Sequence, residues 1–415
     1  MTLIEIFSGS PIENFISTLA LMPQKTVFIS ADTKKVWREI PRFKQILNGR
    51  GKTCDMDAVK ASKNDLDDIC GVLEKIISDE NENYVVDISG GDSAILTAVG
   101  MTLGKINSRN LFAFRINPVN RRGVLFRFGG ESGTEKFVFD FSYKTEVYLT
   151  CEENIILHGG SVCGKGETFD ADSDTAVDIE TMWAICKPDP AGWNAKIGRL
   201  SAETSRYGES DIRTISKDAI GSGSKNSVDK QLWNSLVSHG LIIIDEEMSR
   251  RGSWFFRYKN RVTEECLNKS GTVLEYRTFL AGIRAMHDET RVYCSVETGI
   301  TIGWDEENGG FGGTQNEIDC MLMCGVCPIF ISCKNGDIKT EELYKLGTVS
   351  EKFGSTYAKA VLLSTVFFDD SNKAPIKSVM KLKKRAQDMN IKLISKANSL
   401  GNNAFDSAVK SLRIS

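Results

Sequence analysis

Histidine and net basic charge are both scarce in this sequence. Only three histidines occur among 415 residues, and 52 Lys and Arg against 55 Asp and Glu leave a net charge of −3. The sequence therefore offers few residues for catalysis that depends on histidine. Any contact with nucleic acid must come from local basic patches or from metal, because bulk charge does not favour it.

Long apolar runs are also missing. None reaches the ~20 residues that a membrane-spanning helix needs, and residues 1–15 lack the basic region and apolar run of a signal peptide. The eleven cysteines are odd in number and scattered along the chain. That usage suits reduced thiols better than disulfides, so we expect a cytoplasmic protein with no membrane partner. The length predicts two or three domains at ~100–200 residues each.

Residues 1–147 alternate between strand-like and helix-like segments. Strands are predicted at 3–7, 26–30, 84–88 and 111–116, and helices at 12–21, 66–78 and 94–103. This alternation predicts an α/β fold with a parallel, Rossmann-like sheet. Ligands of such sheets lie beyond the carboxyl ends of the strands.

A glycine-rich turn stands at one of these strand ends. It reads Ser89-Gly90-Gly91-Asp92-Ser93 and links the strand at 84–88 to the following helix. Two glycines allow a close backbone approach, and the free N–H groups of a helix start attract phosphate. The turn does not match the G-x-G-x-x-G fingerprint, and a tight turn with a Ser or Asp cap is the alternative interpretation.

A near match to a phosphate-binding Walker loop occurs at Gly159–Gly166, GGSVCGKG. Gly166 occupies the place of the hydroxyl that would hold magnesium, and a predicted helix at 149–158 precedes the loop where a strand is required. A nucleotide-dependent enzyme that uses Lys165 remains an alternative function.

The rest of residues 148–255 carries weaker signals. Residues 199–224 are polar and punctuated by Gly and Ser, which predicts a mobile insertion. Residues 228–244 indicate a helix, a turn and a strand, and 254–258 a further strand. We interpret these as a small winged-helix-like module.

Two neighbouring strands, Glu317–Met323 and Ile329–Lys334, bring an acid and a lysine into an apolar segment. Because side chains alternate across a strand, Asp319 lies on one face of the first strand and Lys334 on one face of the second. A buried charge is unfavourable unless it has a partner of opposite charge or a functional role. The carboxylate can hold a divalent cation against a phosphate, and the lysine can orient water or neutralise developing charge. A simple salt bridge is the alternative.

A predicted amphipathic helix, Gly271–Met286, lies upstream and carries Glu275 in its first turn. A helix with Glu, followed by strands bearing Asp and x-x-Lys, resembles the core of a PD-(D/E)xK nuclease. The resemblance implies that Glu275 and Asp319 are metal ligands and that Lys334 is the catalytic lysine.

The chain departs from this nuclease pattern at one position. Ser332 stands where the family has the (D/E)xK acid, and serine is a poor metal ligand. Glu317 on the same strand face as Asp319, or Glu342 on the next helix, would then supply the missing carboxylate. The candidate metal site therefore comprises Glu275, Asp319, Glu317, Glu342 and Ser332.

The first 147 residues resemble a CARF domain, the CRISPR-associated Rossmann fold that senses cyclic oligoadenylates. The resemblance places the ligand at the turn after the first strand and at the glycine-rich turn, with the turn after the second strand as a weaker candidate. The matching residues are Ser8, Gly9, Ser10, Ser89, Gly90, Gly91 and Asp92, followed by Asp32 and Thr33.

Together the two halves resemble CRISPR ancillary nucleases of type III systems. The resemblance implies a CARF domain at 1–147, a linker and winged-helix-like connector at 148–255, and a restriction-endonuclease-like domain at 256–415. It also implies a homodimer that binds cyclic tetra-adenylate on its two-fold axis. The activity implied is a Mn²⁺- or Mg²⁺-dependent endonuclease acting on DNA or RNA. A ligand-binding regulator with an inactive nuclease-like domain is the rival.

Four cysteines close to Asp319 raise the question of a zinc site. Strand alternation points Cys320 away from Asp319 and Cys333 away from Lys334, towards the core. Since a structural zinc site needs four converging ligands, buried free thiols are the expected state of Cys320, Cys324, Cys327 and Cys333.

Overall fold

The computed structural model of the protein describes residues 1–62, 65–91, 93–106, 110–119, 122–130, 133–140, 147–221, 227–249, 252–304, 315–336, 338–366 and 377–413. Within these ranges the strands form three sheets, of seven, four and six strands. No helix in the same ranges is both long and apolar enough to span a bilayer.

The first sheet occupies the amino-terminal third of the chain. Its strands are β1 (Thr2–Ile6), β2 (Lys25–Ser30), β3 (Asp55–Lys60), β4 (Tyr84–Asp87), β5 (Leu111–Asn117), β6 (Arg122–Gly130) and β7 (Gly133–Asp140). The helices between them are α1 (Glu13–Leu21), α2 (Thr33–Gly49), α3 (Leu66–Ile76) and α4 (Ser93–Lys105). The strand order is β3-β2-β1-β4-β5-β6-β7. Strands β1 to β5 are parallel, as predicted, and β6 and β7 are antiparallel.

Four elements of this region, α2, β3, β6 and β7, have no counterpart in the sequence-based prediction. α2 has an amphipathic pattern but contains Pro41, which usually breaks a helix. β3 reads DMDAVK, so charges interrupt its apolar residues. It is nevertheless paired with β2 over six residues at the edge of the sheet.

The next two elements connect the first and third sheets. They are α5 (Cys151–Leu157), which begins with a capping box between Thr150 and Glu153, and β8 (Ser161–Gly164). Arg50, which follows α2, donates from Nε to Glu153 at 2.7 Å. α5 is therefore held against the first domain, while β8 forms an edge of the third sheet.

The second sheet is small and antiparallel. Its strands are β9 (Ser205–Arg206), β10 (Arg213–Ser216), β11 (Ile242–Ile244) and β12 (Ser253–Tyr258), in the order β11-β12-β10-β9. The helices of this region are α6 (Asp174–Cys186), α7 (Pro190–Glu203), α8 (Lys230–Ser238) and α9 (Arg261–Asn268). The predicted helix, turn and strands of the winged-helix-like module are present. The prediction of a mobile insertion at 199–224 is wrong for its described part, because the end of α7, β9 and β10 lie there.

The third sheet carries the predicted acid and lysine. Its further strands are β13 (Ser295–Gly303), β14 (Gln315–Cys324), β15 (Cys327–Lys334), β16 (Lys359–Ser364) and β17 (Ile391–Ile394). The helices around it are α10 (Thr272–His287), α11 (Thr340–Gly354), α12 (Lys377–Asp388) and α13 (Asn402–Lys410). The order is β17-β16-β15-β14-β13-β8. Short 3-10 helices lie at Lys217–Ala219, Ser355–Tyr357 and Ala397–Ser399.

The central strands β14 and β15 are buried on both faces. Cys320 and Cys333 belong to the core that contains the apolar residues of α10. Met321 and Phe330 belong to the opposite core, together with Leu343 of α11. The predicted alternation is confirmed, and it fixes which face of the sheet each polar side chain shares.

We predict that Gly282→Ala destabilises the protein by about 1–3 kcal/mol. A Cβ at Gly282 of α10 would lie 2.8 Å from Val296 Cγ1 and from Leu322 Cδ2. The helix would therefore have to move away from the sheet. Thermal or urea unfolding measures the effect. The control is Gly100→Ala in α4, where an added Cβ meets nothing within 4 Å. That variant should be as stable as wild type or more so by about 0.5–1 kcal/mol, and equal effects at both positions would contradict the prediction.

Candidate functional site

The β14–β15 pair brings Asp319, Ser332 and Lys334 together. Asp319 Oδ2 accepts hydrogen bonds from the Cys333 N–H at 2.7 Å and from Ser332 Oγ at 3.2 Å. Lys334 Nζ lies 3.6 Å from the same oxygen and 3.0 Å from Glu342 Oε2. Ser332 therefore orients the aspartate, and Lys334 is shared between two carboxylates.

Glu275 approaches this group from α10. Burial and then repulsion from Asp319 raise its pKa to about 8. Burial also raises the pKa of Asp319, although Lys334, the Cys333 N–H and the Ser332 hydroxyl partly offset it. Burial is the first cause of both shifts, and repulsion from Asp319 adds to it at Glu275. Perturbed acids of this kind are typical of functional sites.

The other two candidate ligands are engaged with lysines. Glu317 Oε1 accepts from Lys269 Nζ at 2.9 Å at the surface. Glu342 pairs with Lys334, and its other oxygen lies 3.7 Å from Lys345 Nζ. Across the described ranges, no three His, Cys, Asp or Glu side chains are grouped closely enough to hold a metal ion. A third carboxylate would have to leave its lysine before joining Glu275 and Asp319.

Lys334 is a cation in this site. Burial lowers its pKa, but the carboxylates of Asp319 and Glu342 outweigh burial and raise it. A lysine that keeps its proton cannot act as a base at neutral pH. It can stabilise negative charge that develops on a phosphate.

Two clefts meet at these acids. One, of about 370 Å³, is lined by Asp319, Lys334 and Glu342, among others. The other, of about 390 Å³, is lined by Glu275 among others. Glu317 lines both clefts. A ligand that crosses from one to the other would pass the carboxylates.

The near-Walker segment does not form a phosphate loop. β8 runs through it as a strand, and the next helix, α6, begins only at Asp174. Lys165 Nζ contacts Glu152 Oε2 at 3.0 Å and Glu297 Oε1 at 3.3 Å. The geometry required for the nucleotide-dependent alternative is therefore not present at Lys165.

None of the cysteines near Asp319 forms a disulfide, and the same holds for all eleven in the chain. Cys320 and Cys333 are buried on the α10 side, and Cys333 Sγ contacts the Thr278 hydroxyl at 3.4 Å. Burial raises the pKa of both thiols well above the ordinary value. The expectation of buried thiols is confirmed.

In the first sheet, the strand order reverses between β1 and β4, and the two candidate ligand turns meet there. The Ser8 N–H donates to Asn14 Oδ1 at 2.6 Å, and Ser8 Oγ donates to Glu13 Oε2 at 2.9 Å. A Cβ added at Gly90 would lie 3.4 Å from the same Glu13 oxygen. The predicted turns thus form one crevice at the point where such sheets bind ligands.

Gly91 is required by the backbone of this crevice. Its φ is +111°, and a Cβ there would lie 2.8 Å from Ile6 Cγ2. The neighbouring Ser89 hydroxyl accepts from the Ile116 N–H at 2.8 Å, and the Ser10 N–H donates to Ser8 Oγ at 3.1 Å. By contrast, a Cβ at Gly9 would meet nothing within 4 Å.

The remaining ligand candidates contribute less. Asp32 is the N-cap of α2 and accepts from the N–H groups of Lys34 and Lys35 at 3.1 and 3.4 Å. Thr33 is the first residue of that helix. The capping role explains Asp32 without a ligand. Asp92 lies outside the described residues.

Two buried acids under the crevice are absent from the sequence-based candidates. Glu5 and Asp87 lie on the neighbouring strands β1 and β4 and are 3% and 1% exposed. Burial, followed by the charge of Asp87, raises the pKa of Glu5 well above its usual range. Burial also raises the pKa of Asp87, which accepts from the Ser89 N–H at 2.6 Å and from the Ser17 hydroxyl. The sequence signal that could have identified them is an acid within an otherwise apolar strand.

Glu13 links the crevice to the third sheet. Its second oxygen, Oε1, accepts from the Tyr357 hydroxyl at 3.0 Å. Tyr357 belongs to the short 3-10 helix that follows α11. This contact joins residues 344 positions apart, so no local pattern predicts it.

Comparison with solved structures shows the fold. A crystal structure of protein VC1899 from Vibrio cholerae has a TM-score of 0.74 at 14% identity, covering 99% of this chain and 97% of that one. Can2 from Sulfobacillus thermosulfidooxidans, in complex with cyclic tetra-adenylate, has a TM-score of 0.64 at 13% identity, covering 98% and 99%. The chain shares the fold of both proteins over its whole length. The predicted α/β fold class, with a Rossmann-like first sheet, is confirmed.

A third structure, a type III CRISPR defence DNA nuclease activated by cyclic oligoadenylate, has a TM-score of 0.45 at 13% identity. The match covers 88% of this chain and 45% of that one, and its TM-score is too low for a comparison of folds. No family model matches the sequence, and no curated protein matches it.

We predict that Glu275→Gln becomes more stable relative to wild type as the pH rises. The folded protein holds the Glu275 proton up to a pKa of about 8, whereas the ordinary value is 4.5. Between these values the folded state binds more protons than the unfolded state, so wild-type stability falls with pH and levels off above the higher value. Unfolding in the presence of a chelator, from about pH 5 to about pH 9, measures the difference.

The control for this experiment is Glu341→Gln, an exposed residue of α11. Its difference from wild type should stay constant over the same range. A constant difference for Glu275→Gln as well would show that Glu275 is ionised throughout and would contradict the prediction.

Proposed function

We propose that the protein is a metal-dependent endonuclease that a cyclic oligoadenylate switches on. The observation that carries this proposal is the pair of mutually repelling carboxylates, Glu275 and Asp319, beside the charged Lys334. The two poorly solvated acids can bind a divalent cation, and the ammonium group of Lys334 can bind a phosphate. The donor set therefore fits Mg²⁺ or Mn²⁺.

Glu275 and Asp319 would hold the ion, with Glu317 or Glu342 completing the site and Ser332 acting on Asp319. When bound, the ion supplies a Lewis acid that activates water and stabilises charge on the phosphate. The Ser332 hydroxyl and the Cys333 N–H orient Asp319. Lys334 neutralises the negative charge that develops on the phosphate in the transition state.

The crevice at β1 and β4 is the proposed activator site. Support comes from Can2, a protein of the same fold whose structure contains cyclic tetra-adenylate. The proposed ligand contacts are Ser8, Gly9, Ser10, Ser89, Gly90, Gly91 and Asp92, with Asp32 and Thr33 as weaker candidates. A repeating cyclic ligand matches a two-fold axis, so the active species is proposed to be a homodimer.

The proposed units are a sensor at 1–147, a connector at 148–255 and a nuclease at 256–415. β8 is an exception, because it lies within the connector range and extends the third sheet. The proposed substrate is single-stranded DNA or RNA, or duplex DNA that the enzyme would nick, in antiviral defence of the type III CRISPR kind.

A ligand-binding regulator without nuclease activity is the second candidate. It is favoured by Ser332 at the usual acid position and by the ion pairs of Glu317 and Glu342 with lysines. These features leave only Glu275 and Asp319 available as carboxylate ligands.

We predict that the protein cleaves nucleic acid only with Mn²⁺ or Mg²⁺ and cyclic tetra-adenylate together. Labelled single-stranded DNA, single-stranded RNA and supercoiled plasmid are the substrates to test. Asp319→Ala and Lys334→Ala should each lower the rate at least about a hundredfold, since Asp319 would hold the ion and Lys334 would neutralise charge on the phosphate. Lys345→Ala, which removes a more exposed lysine of the same cleft, should retain most activity.

Cleavage without the activator would support the nuclease function and contradict the proposed role of the first domain as a sensor. If wild type binds cyclic tetra-adenylate but cuts none of the substrates with either metal, the regulator replaces the nuclease. Equal activity of wild type and Asp319→Ala would show that another site does the cutting.

We predict that Gly91→Ala lowers the affinity for cyclic tetra-adenylate at least about tenfold, or ~1.4 kcal/mol. The added Cβ would meet Ile6 while φ is positive, so the turn must change shape. Isothermal titration calorimetry measures the affinity. Gly100→Ala, in the next helix and free of close contacts, is the control. Unchanged binding by Gly91→Ala would place the ligand elsewhere.

A further inference from the structure

The second of the two clefts at the acids contains two lysines that the nuclease mechanism does not use. We call it the lysine cleft and define it by Lys165, Lys269, Thr272, Glu275, Gly299 and Glu317. The first cleft also contains two lysines, Lys334 and Lys345. Positive side chains therefore stand on both sides of the carboxylates.

Lys165 is fixed in position and keeps its charge. Burial lowers its pKa, but Glu152 and Glu297 outweigh burial and raise it. An ammonium group has three N–H donors, and these two glutamates accept two of them at 3.0 and 3.3 Å. The side chain is 33% exposed, so the remaining donor can reach a ligand in the cleft.

The glycine next to Lys165 explains how the lysine is placed. The Gly166 N–H donates to the Thr298 carbonyl at 2.8 Å. A Cβ at Gly166 would lie 2.9 Å from Thr298 Cγ2, and a Cβ at Gly299 would lie 3.1 Å from the Gly166 nitrogen. The G-K-G part of the near-Walker segment thus allows the chain after β8 to approach β13 and positions Lys165 over the cleft.

Lys269 lies beside Glu317, one of the candidate metal ligands. Its 2.9 Å pair with Glu317 is a surface ion pair, with side chains 59% and 50% exposed. Such pairs contribute only about 0–1 kcal/mol, so Lys269 can exchange Glu317 for an incoming phosphate.

Thr272 adds an unused donor. It lines the cleft and is 4% exposed, and within the described ranges its hydroxyl has no hydrogen-bond partner. A buried hydroxyl without a partner is unfavourable unless a ligand supplies one. The other cation of the cleft, Arg261, is occupied by Glu264 and Glu265 of its own helix.

We propose that the lysine cleft binds the sugar-phosphate backbone of the nucleic-acid substrate on one side of the bond to be cut. Lys165 and Lys269 contact successive phosphates, and the strand continues past the acids towards Lys334. The inference rests on the proposed nuclease function and makes Lys165 and Lys269 positioning residues. It also gives the near-Walker segment a role in holding a polymer rather than a free nucleotide.

The test is the salt dependence of binding to a labelled single-stranded oligonucleotide. Full-length protein with cyclic tetra-adenylate and a chelator binds without cutting, and fluorescence anisotropy gives the affinity at several salt concentrations. Removing one lysine that binds a phosphate lowers the slope of log affinity against log salt by about 0.7 for a single strand. We expect that decrease, with a several-fold loss of affinity at low salt, for Lys165→Gln and for Lys269→Gln.

Lys25→Gln is the matched control. Lys25 also forms a surface ion pair, at 3.7 Å with Asp57, and lies at the start of β2. Its slope should equal that of wild type. Binding of cyclic tetra-adenylate by each variant verifies that it is folded.

If wild type binds and cuts nucleic acid but both lysine variants keep the wild-type slope, the lysine cleft is not the substrate path and only this inference is overturned. If wild type neither binds nor cuts any substrate, the proposed function and this inference are overturned together. A decrease of equal size in Lys25→Gln would also contradict the inference, because the effect would then reflect total charge.

Discussion

Repulsion between Glu275 and Asp319 is the constraint around which the third sheet is arranged. The two carboxylates come from different elements, one on α10 and one on β14, and the apolar cores on both faces of the sheet fix their positions. Burial of the two acids costs free energy and raises the pKa of each, and the charge of Asp319 raises the pKa of Glu275 further. A cation or a proton relieves that cost. In the proposed metal site, the packing of α10 and β14 would therefore favour a bound cation.

The lysines around this pair control which carboxylates are available. Lys334 is shared by Asp319 and Glu342, and Lys269 engages Glu317. α11 carries Glu342 in its first turn, and Tyr357, just after its other end, hydrogen-bonds to Glu13 at the crevice. The carbonyl of Phe353, near the same end, accepts from Asn154 of α5 at 2.7 Å. One helix is therefore in contact with the lysine at the acids and, through the residues that follow it, with the turn at the crevice.

The sequence predicts the elements whose pattern is local. The alternation on either side of Asp319 identifies two buried strands, and Glu275 in a helix start followed by Asp319 and Lys334 predicts the candidate site. β13 has an equally strict alternation of buried and partly exposed residues, from Val296 to Ile302, and could have been predicted in the same way. α2 and β3 could not, because Pro41 and the charges of β3 contradict their structure. The pair of Lys269 with Glu317 spans 48 positions, so only the folded chain reveals that Glu317 already has a partner.

The most direct test of the metal site is a crystal structure of the protein soaked with Mn²⁺ above pH 8, with anomalous diffraction used to locate the ion. We predict an anomalous peak contacted by the carboxylates of both Glu275 and Asp319, with Lys334 still beside them. We also predict that a third carboxylate, Glu317 or Glu342, has left its lysine. A structure without a peak at this position, in which Lys269 still pairs with Glu317 and Lys334 with Glu342, would contradict the claim that these acids form a metal site.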